Sequence, residues 1–112
     1  MDREELLKLI ESKEVIGIDL SGQRLEKIDF TGCRIERTSF KGCELVHCRF
    51  RNAKISWSDF RYAEIQHGTF EGAEIEFSDF YRAFIDGVVI FNGSSFSNCS
   101  LNKTYLGECA II

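Results

Sequence analysis

Residues 28–50 read IDFTGCRIERTSFKGCELVHCRF, and a large apolar side chain stands at every fifth place: Phe30, Ile35, Phe40, Leu45 and Phe50. The series runs from Leu20 and Leu25 through this stretch and on through Ile55, Phe60, Ile65, Phe70, Ile75, Phe80, Ile85 and Ile90. One residue out of step, it resumes as Phe96, Leu101, Leu106 and Ile111. Self-similarity of this length is not accidental and decides the architecture before anything else. Two residues ahead of the large side chain the residue is mostly small, as at Cys33, Thr38, Cys43, Cys48, Ala53, Ser58 and Ala63. The immediate neighbours are polar or charged, and glycine often follows two places later, at Gly22, Gly32, Gly42, Gly72 and Gly87. A period of five is neither helical nor that of a plain strand. It fits a short extended segment closed by a tight turn, with the small and the large residue both pointing inward and glycine supplying the positive φ that some turns need.

Ile18-Asp19-Leu20-Ser21-Gly22, Ile28-Asp29-Phe30-Thr31-Gly32 and Ser58-Asp59-Phe60-Arg61-Tyr62 carry a further regularity, an aspartate before the large residue. With these units the chain resembles the pentapeptide-repeat family over about nineteen repeats, from Ile18 onward. The resemblance implies an all-β solenoid, a right-handed quadrilateral β-helix in which four pentapeptides make one square coil of twenty residues. Nineteen repeats give about 4.75 coils, a rod on the order of 23 Å long at the usual strand spacing.

If twenty residues close a coil, Phe40, Phe60 and Phe80 stack on one side and Phe30, Phe50 and Phe70 on the opposite side. Ile35, Ile55 and Ile75 form a third wall and Leu45, Ile65 and Ile85 the fourth. Each coil buries these positions only against its neighbours. Residues 1–16 are expected to be a capping segment with a helix over 2–14. Asp2 is its N-cap, Glu5 completes a capping box, and Leu6, Leu9 and Ile10 form one apolar stripe. Gly17 is expected to end it. Residues 17–112 are then the β-helix, with a one-residue register shift at 91–95, where Asn92-Gly93 reads as a bulge at a corner.

The chain has 112 residues and a net charge of −4. Nine Lys/Arg face six Asp/Glu between Gly17 and Arg61, but two face seven from Tyr62 onward. The rod therefore has a basic and an acidic half. The overall charge argues against direct nucleic-acid binding. No apolar run is long enough to span a bilayer, and no signal-like core follows the charged N-terminus, so a cytoplasmic location is expected. Five cysteines without a Cys-x-x-Cys pair point to free thiols rather than a disulfide framework or a zinc site.

Candidate functional residues lie on the outside. Cys43 and Cys48 are expected to point inward on adjacent sides and His47 outward, so they do not converge on a metal. His47 and His67 stack on one corner below Lys27, too few ligands for a metal site. Flat, convex faces, without a cleft or a nucleophile motif, predict no catalysis, metal or cofactor. Arg37, Trp57 and Phe77 share one corner, with Tyr62 and Tyr81 around the adjoining face and Phe84 beyond. They either shield the turns of successive coils or form a protein-binding patch. Leu101, Leu106, Ile111 and Ile112 would form an open C-terminal edge, suited to an end-to-end homodimer or to continuation into further repeats. The leading expectation is a non-enzymatic rigid scaffold that binds another protein. The resemblance also implies an alternative, a DNA mimic that binds DNA gyrase or topoisomerase IV and protects against quinolones or gyrase toxins. Its acidic face would comprise Asp59, Glu64, Glu71, Glu74, Glu76, Asp79 and Asp86. This chain departs from that group in its basic first half and in lacking a long inserted loop.

Overall fold

The aliphatic and phenylalanine positions of the repeat have different backbone fates. The computed structural model describes residues 1–107. The strands centred on aliphatic residues are β1 (Glu14–Ile16), β2 (Arg24–Glu26), β3 (Arg34–Glu36), β4 (Glu44–Val46), β5 (Lys54–Ser56), β6 (Glu64–Gln66), β7 (Glu74–Glu76) and β8 (Phe84–Asp86). Two more, β9 (Ser95–Ser97) and β10 (Tyr105–Leu106), continue the pattern. They stack in parallel as two sheets, β1-β3-β5-β7-β9 and β2-β4-β6-β8-β10. Paired residues are twenty apart through β8, as in Ile35 on Ile55 and Leu45 on Ile65. The phenylalanines lie on the two sides between the sheets, where single bridges replace strands. Asp19, Ser39, Asp59, Asp79 and Ser100 bridge along the first of these sides, and Asp29, Arg49, Thr69 and Ile90 along the second. The result is a four-sided β-solenoid of about five turns, with overall extents of 33 × 24 × 21 Å.

Two phenylalanine walls fill its interior. Within a wall the rings stack, with centroids 4.7 Å apart for Phe30–Phe50 and 4.6 Å for Phe60–Phe80. Between the walls they meet edge to face, at 5.8 Å and 83° for Phe30–Phe40. Both are the arrangements that the ring quadrupole favours.

The corners are also of two kinds. After each phenylalanine the chain makes a hydrogen-bonded turn: the Cys33 N–H donates to the Phe30 carbonyl at 3.0 Å, and Gly32 takes φ 71°. After each aliphatic centre it makes a bend whose apex donates to the next coil instead, as the Trp57 N–H does to the Glu76 carbonyl at 3.1 Å. The apices Lys27, Arg37, His47, Trp57, His67 and Phe77 all have φ between 45° and 56°.

Three boundaries differ from expectation. Helix α1 runs only from Arg3 to Glu11, with the Asp2 carboxylate accepting the Glu5 N–H at 2.9 Å. Ser12 and Lys13 end it, and Glu14–Ile16 is already a strand, because Val15 is drawn into the aliphatic wall over Ile35. Gly17 is consequently the first corner of the solenoid rather than the helix terminator; its N–H donates to the Glu36 carbonyl at 2.8 Å. Leu6 is buried and Leu9 and Ile10 half-buried against the first coil, so the helix closes that end. The Lys13 ammonium on the Thr31 carbonyl (3.0 Å) and the Arg3 guanidinium on the Glu26 carbonyl (2.9 Å) pin it there.

The extra residue lies at Gly87-Val88, upstream of 91–95. Gln66 pairs with Asp86, twenty apart, but Thr69 bridges Ile90, twenty-one apart. Phe91, not Ile90, therefore continues the phenylalanine wall, stacked on Phe70 at 5.4 Å. Val89 fills the small inward position and is fully buried. Aromatic stacking and burial together outweigh the strict five-residue count.

Candidate aromatic binding surface

The bend at Trp57 forces its side chain outward, because the inward positions are held by Ile55 and Ser58. Trp57 is 64% exposed and Phe77 43% exposed. Their rings lie parallel with centroids 4.6 Å apart. Bulky residues rarely accept positive φ, and here both do, at 52° and 50°. The ladder hydrogen bonds on either side hold the backbone in that conformation.

From this corner the aromatic surface continues across the first bridge side. Phe77, Asp79 and Tyr81 alternate outward along one segment, a span of at most about 14 Å for four extended residues. Tyr81 meets Tyr62 of the preceding coil edge to face at 5.9 Å, and its hydroxyl accepts from the Arg82 Nε at 3.1 Å. Next on the sheet face, Phe84 stacks on Tyr105 at 4.6 Å, both exposed. Trp57, Phe77, Tyr62, Tyr81 and Phe84 thus form one arc over coils three to five. Arg37 shares the Trp57 corner one coil earlier and has the same bend, φ 45°. Tyr105 belongs to the arc and escaped the sequence reading. Its spacing of twenty-one from Phe84 reflects the extra residue at Val88.

The acidic residues do not form one face. Asp59 and Asp79 lie on the first bridge side, Glu64 and Asp86 on one sheet, Glu74 and Glu76 on the opposite sheet, and Glu71 in the turn after Phe70. Asp59 and Glu71 are also ion-paired: the Arg61 Nη2 is 2.8 Å from the Asp59 carboxylate, and the Arg51 Nη2 is 3.7 Å from that of Glu71. Burial alone would raise the Asp59 pKa, but the hydrogen bonds and charge of Arg61 outweigh it and hold the carboxyl below its usual value. A spacing of twenty stacks carboxylates, but alternation around the coil distributes the rest over all four sides.

Leu101 and Leu106 are exposed at the C-terminal end, around a bowl of about 370 Å³ floored by Phe80, Ile85, Phe91 and Phe96. Ile111 and Ile112, expected at the same edge, lie outside the described residues. Cys33, Cys43 and Cys48 are buried free thiols, and burial pushes Cys43 up to about 11. Among the described residues no group of three or more His, Cys, Asp or Glu gathers as for a metal. No described helix is long and apolar enough to cross a membrane.

One expectation about shape fails. The corner of Lys27, His47 and His67 is not flat. It walls a groove of about 840 Å³ along the second bridge side, with Arg49 across from it. The floor is low because Cys48 and Gly68 are small, while the corner side chains rise beside it.

The sequence and the fold both have counterparts. No curated protein matches the chain. Among solved structures, a pentapeptide-repeat protein of the Arabidopsis thaliana thylakoid lumen is 24% identical, with a TM-score of 0.70 over 78% of this chain and 61% of that one. QnrB1, a plasmid-mediated fluoroquinolone resistance protein, is 16% identical, with a TM-score of 0.62 over 81% of this chain and 57% of its own. This chain thus spans about three fifths of the length of either, and at these identities the likeness is one of fold. The family model for a pentapeptide repeat region matches residues 15–88, beginning at the Val15 that opens the aliphatic wall. With four walls of twenty-residue periodicity beneath that match, the chain belongs to the pentapeptide-repeat family.

Proposed function

We propose that the protein is a rigid, non-catalytic docking module that binds another protein through the arc from Trp57 to Tyr105. The observation that carries this is the stacked Trp57–Phe77 pair, exposed yet fixed by an over-determined backbone. Aromatic and arginine side chains dominate binding hot spots. Groups that are already ordered lose little entropy on association. Monomeric proteins seldom leave large apolar side chains clustered on one surface uncovered. The test compares partners crosslinked in the source cell by the wild-type protein and by Trp57→Ala. A partner lost with the variant, and bound at least about tenfold more weakly once purified, supports the reading. Equal affinity for every captured partner sinks it.

The gyrase or topoisomerase IV reading has the fold likeness to a fluoroquinolone resistance protein behind it. The scatter of acidic residues over four sides speaks against a continuous phosphate-like track. A supercoiling assay of gyrase with quinolone separates the two readings. Protection by the wild-type chain, abolished by Glu74→Gln with Glu76→Gln, would favour the mimic, and no effect at micromolar protein would remove it.

A further inference from the structure

We infer that the groove along the second bridge side is a site for a small organic anion bearing a phosphoryl group. It lies on the side opposite the first bridge side and does not depend on the docking proposal. Its volume of about 840 Å³ is within the roughly 300–1,000 Å³ of small-molecule sites. Lys27, His47 and His67 line one wall and Arg49 the other. All four are exposed, and among the described residues neither Lys27 nor Arg49 forms an ion pair.

The imidazole of His67 is organised for donation. The rings of His47 and His67 are parallel, with centroids 5.3 Å apart. The His67 Nδ1 accepts the Val88 N–H at 3.2 Å, which places the ring proton on Nε2. That acceptor bond exists because the extra residue of the solenoid falls at this corner, where bulges characteristically re-aim groups beside a functional site. The Nε2–H of His67 can reach a phosphoryl oxygen through a hydrogen bond of about 2.8 Å. The floor is kept low by Gly68, where a Cβ would lie 2.6 Å from the Cys48 carbonyl oxygen. Val88 and Ile90 supply apolar surface for the organic part.

Two cations and a histidine N–H supply the contacts for the anion. Lys27 and Arg49 both carry positive charge at neutral pH. The groups that face them include Arg3, whose guanidinium holds the Glu26 carbonyl, and the carboxylates of Glu26, Asp29 and Asp86. The Asp29 carboxylate accepts the Thr31 N–H and hydroxyl and feels the positive charge of Arg49. A phosphoryl dianion therefore meets the Lys27 ammonium, the Arg49 guanidinium and the Nε2–H of His67.

The experiment follows the side-chain resonances of both histidines in the full chain during titration with adenosine monophosphate, inorganic phosphate and adenosine. Both phosphates are expected to move the resonances and adenosine to leave them unchanged. Arg49→Gln and the double variant His47→Gln, His67→Gln should each weaken nucleotide binding at least about tenfold without moving the unfolding midpoint. The inference is overturned if neither phosphate shifts the histidines at about 10 mM. It is also overturned if Arg49→Gln binds as wild type, or if a poly-glutamate peptide binds more tightly than the nucleotide.

Discussion

Ser58 shows how one side chain sets a corner. Its hydroxyl is buried, donates to the Ser56 carbonyl at 3.1 Å and accepts the Thr38 N–H at 3.4 Å from the coil before. Ser78 does the same for the Ser58 N–H at 3.1 Å. This column of hydroxyls satisfies the backbone beside the Arg37, Trp57 and Phe77 bends, which lack the hydrogen bond of an ordinary turn. Ser58→Ala should cost about 1–3 kcal/mol, because it leaves the buried Thr38 N–H without an acceptor; urea unfolding measures it. The spacing of Thr38, Ser58 and Ser78 was visible in the sequence, but read only as a rule of size. Its polar role depends on which inward column adjoins an open bend. Asp59 makes a second residue-scale case. Its folded pKa lies below the unfolded value, so its contribution is complete above about pH 4, the ordinary aspartate value. That contribution is lost as pH falls through the folded pKa. Asp59→Asn should therefore flatten the acid limb of a stability-versus-pH curve while leaving the slope near neutrality unchanged.

At the level of elements, periodicity located every strand centre from Leu25 to Ile85 but misplaced both ends of the regular series. Val15 falls in the expected capping segment 1–16, ahead of the series that starts at Leu20, and pairing with Ile35 makes it a strand centre. Ile90 and Phe91 are likewise both apolar. A five-residue count chooses Ile90, whereas ring stacking on Phe70 chooses Phe91. Val88 is then an insertion in a corner and carries none of the ladder pairs among the described residues. Deleting it should restore a spacing of twenty between Thr69 and Ile90 with the fold intact. Because it lies outside the buried walls, the melting temperature should shift by no more than about 4–8 °C, equivalent to about 1 kcal/mol. The same deletion removes the hydrogen bond to His67. A collapse in melting temperature would mean that the bulge holds the fourth and fifth coils together.

For the whole molecule, the five-residue pattern is not the folding unit. Four-sidedness, alternating walls and alternating corners all repeat every ten residues, and the coil closes at twenty. Deleting residues 41–50 removes half a coil but returns phenylalanine to a phenylalanine wall and each corner to its own kind. Deleting residues 41–45 keeps every apolar position in the five-residue count, yet places phenylalanine over isoleucine and open bends over hydrogen-bonded turns through the remaining coils. Stability in a solenoid is a sum of unit and neighbour-interface terms. The ten-residue deletion should therefore give a cooperatively folding, somewhat less stable rod. The five-residue deletion should lose cooperative unfolding by calorimetry, since it mismatches every interface between coils downstream. Equal behaviour of the two deletions would show that the interior tolerates any large apolar residue at a centre, and that the segregation of rings from aliphatics contributes little to the fold.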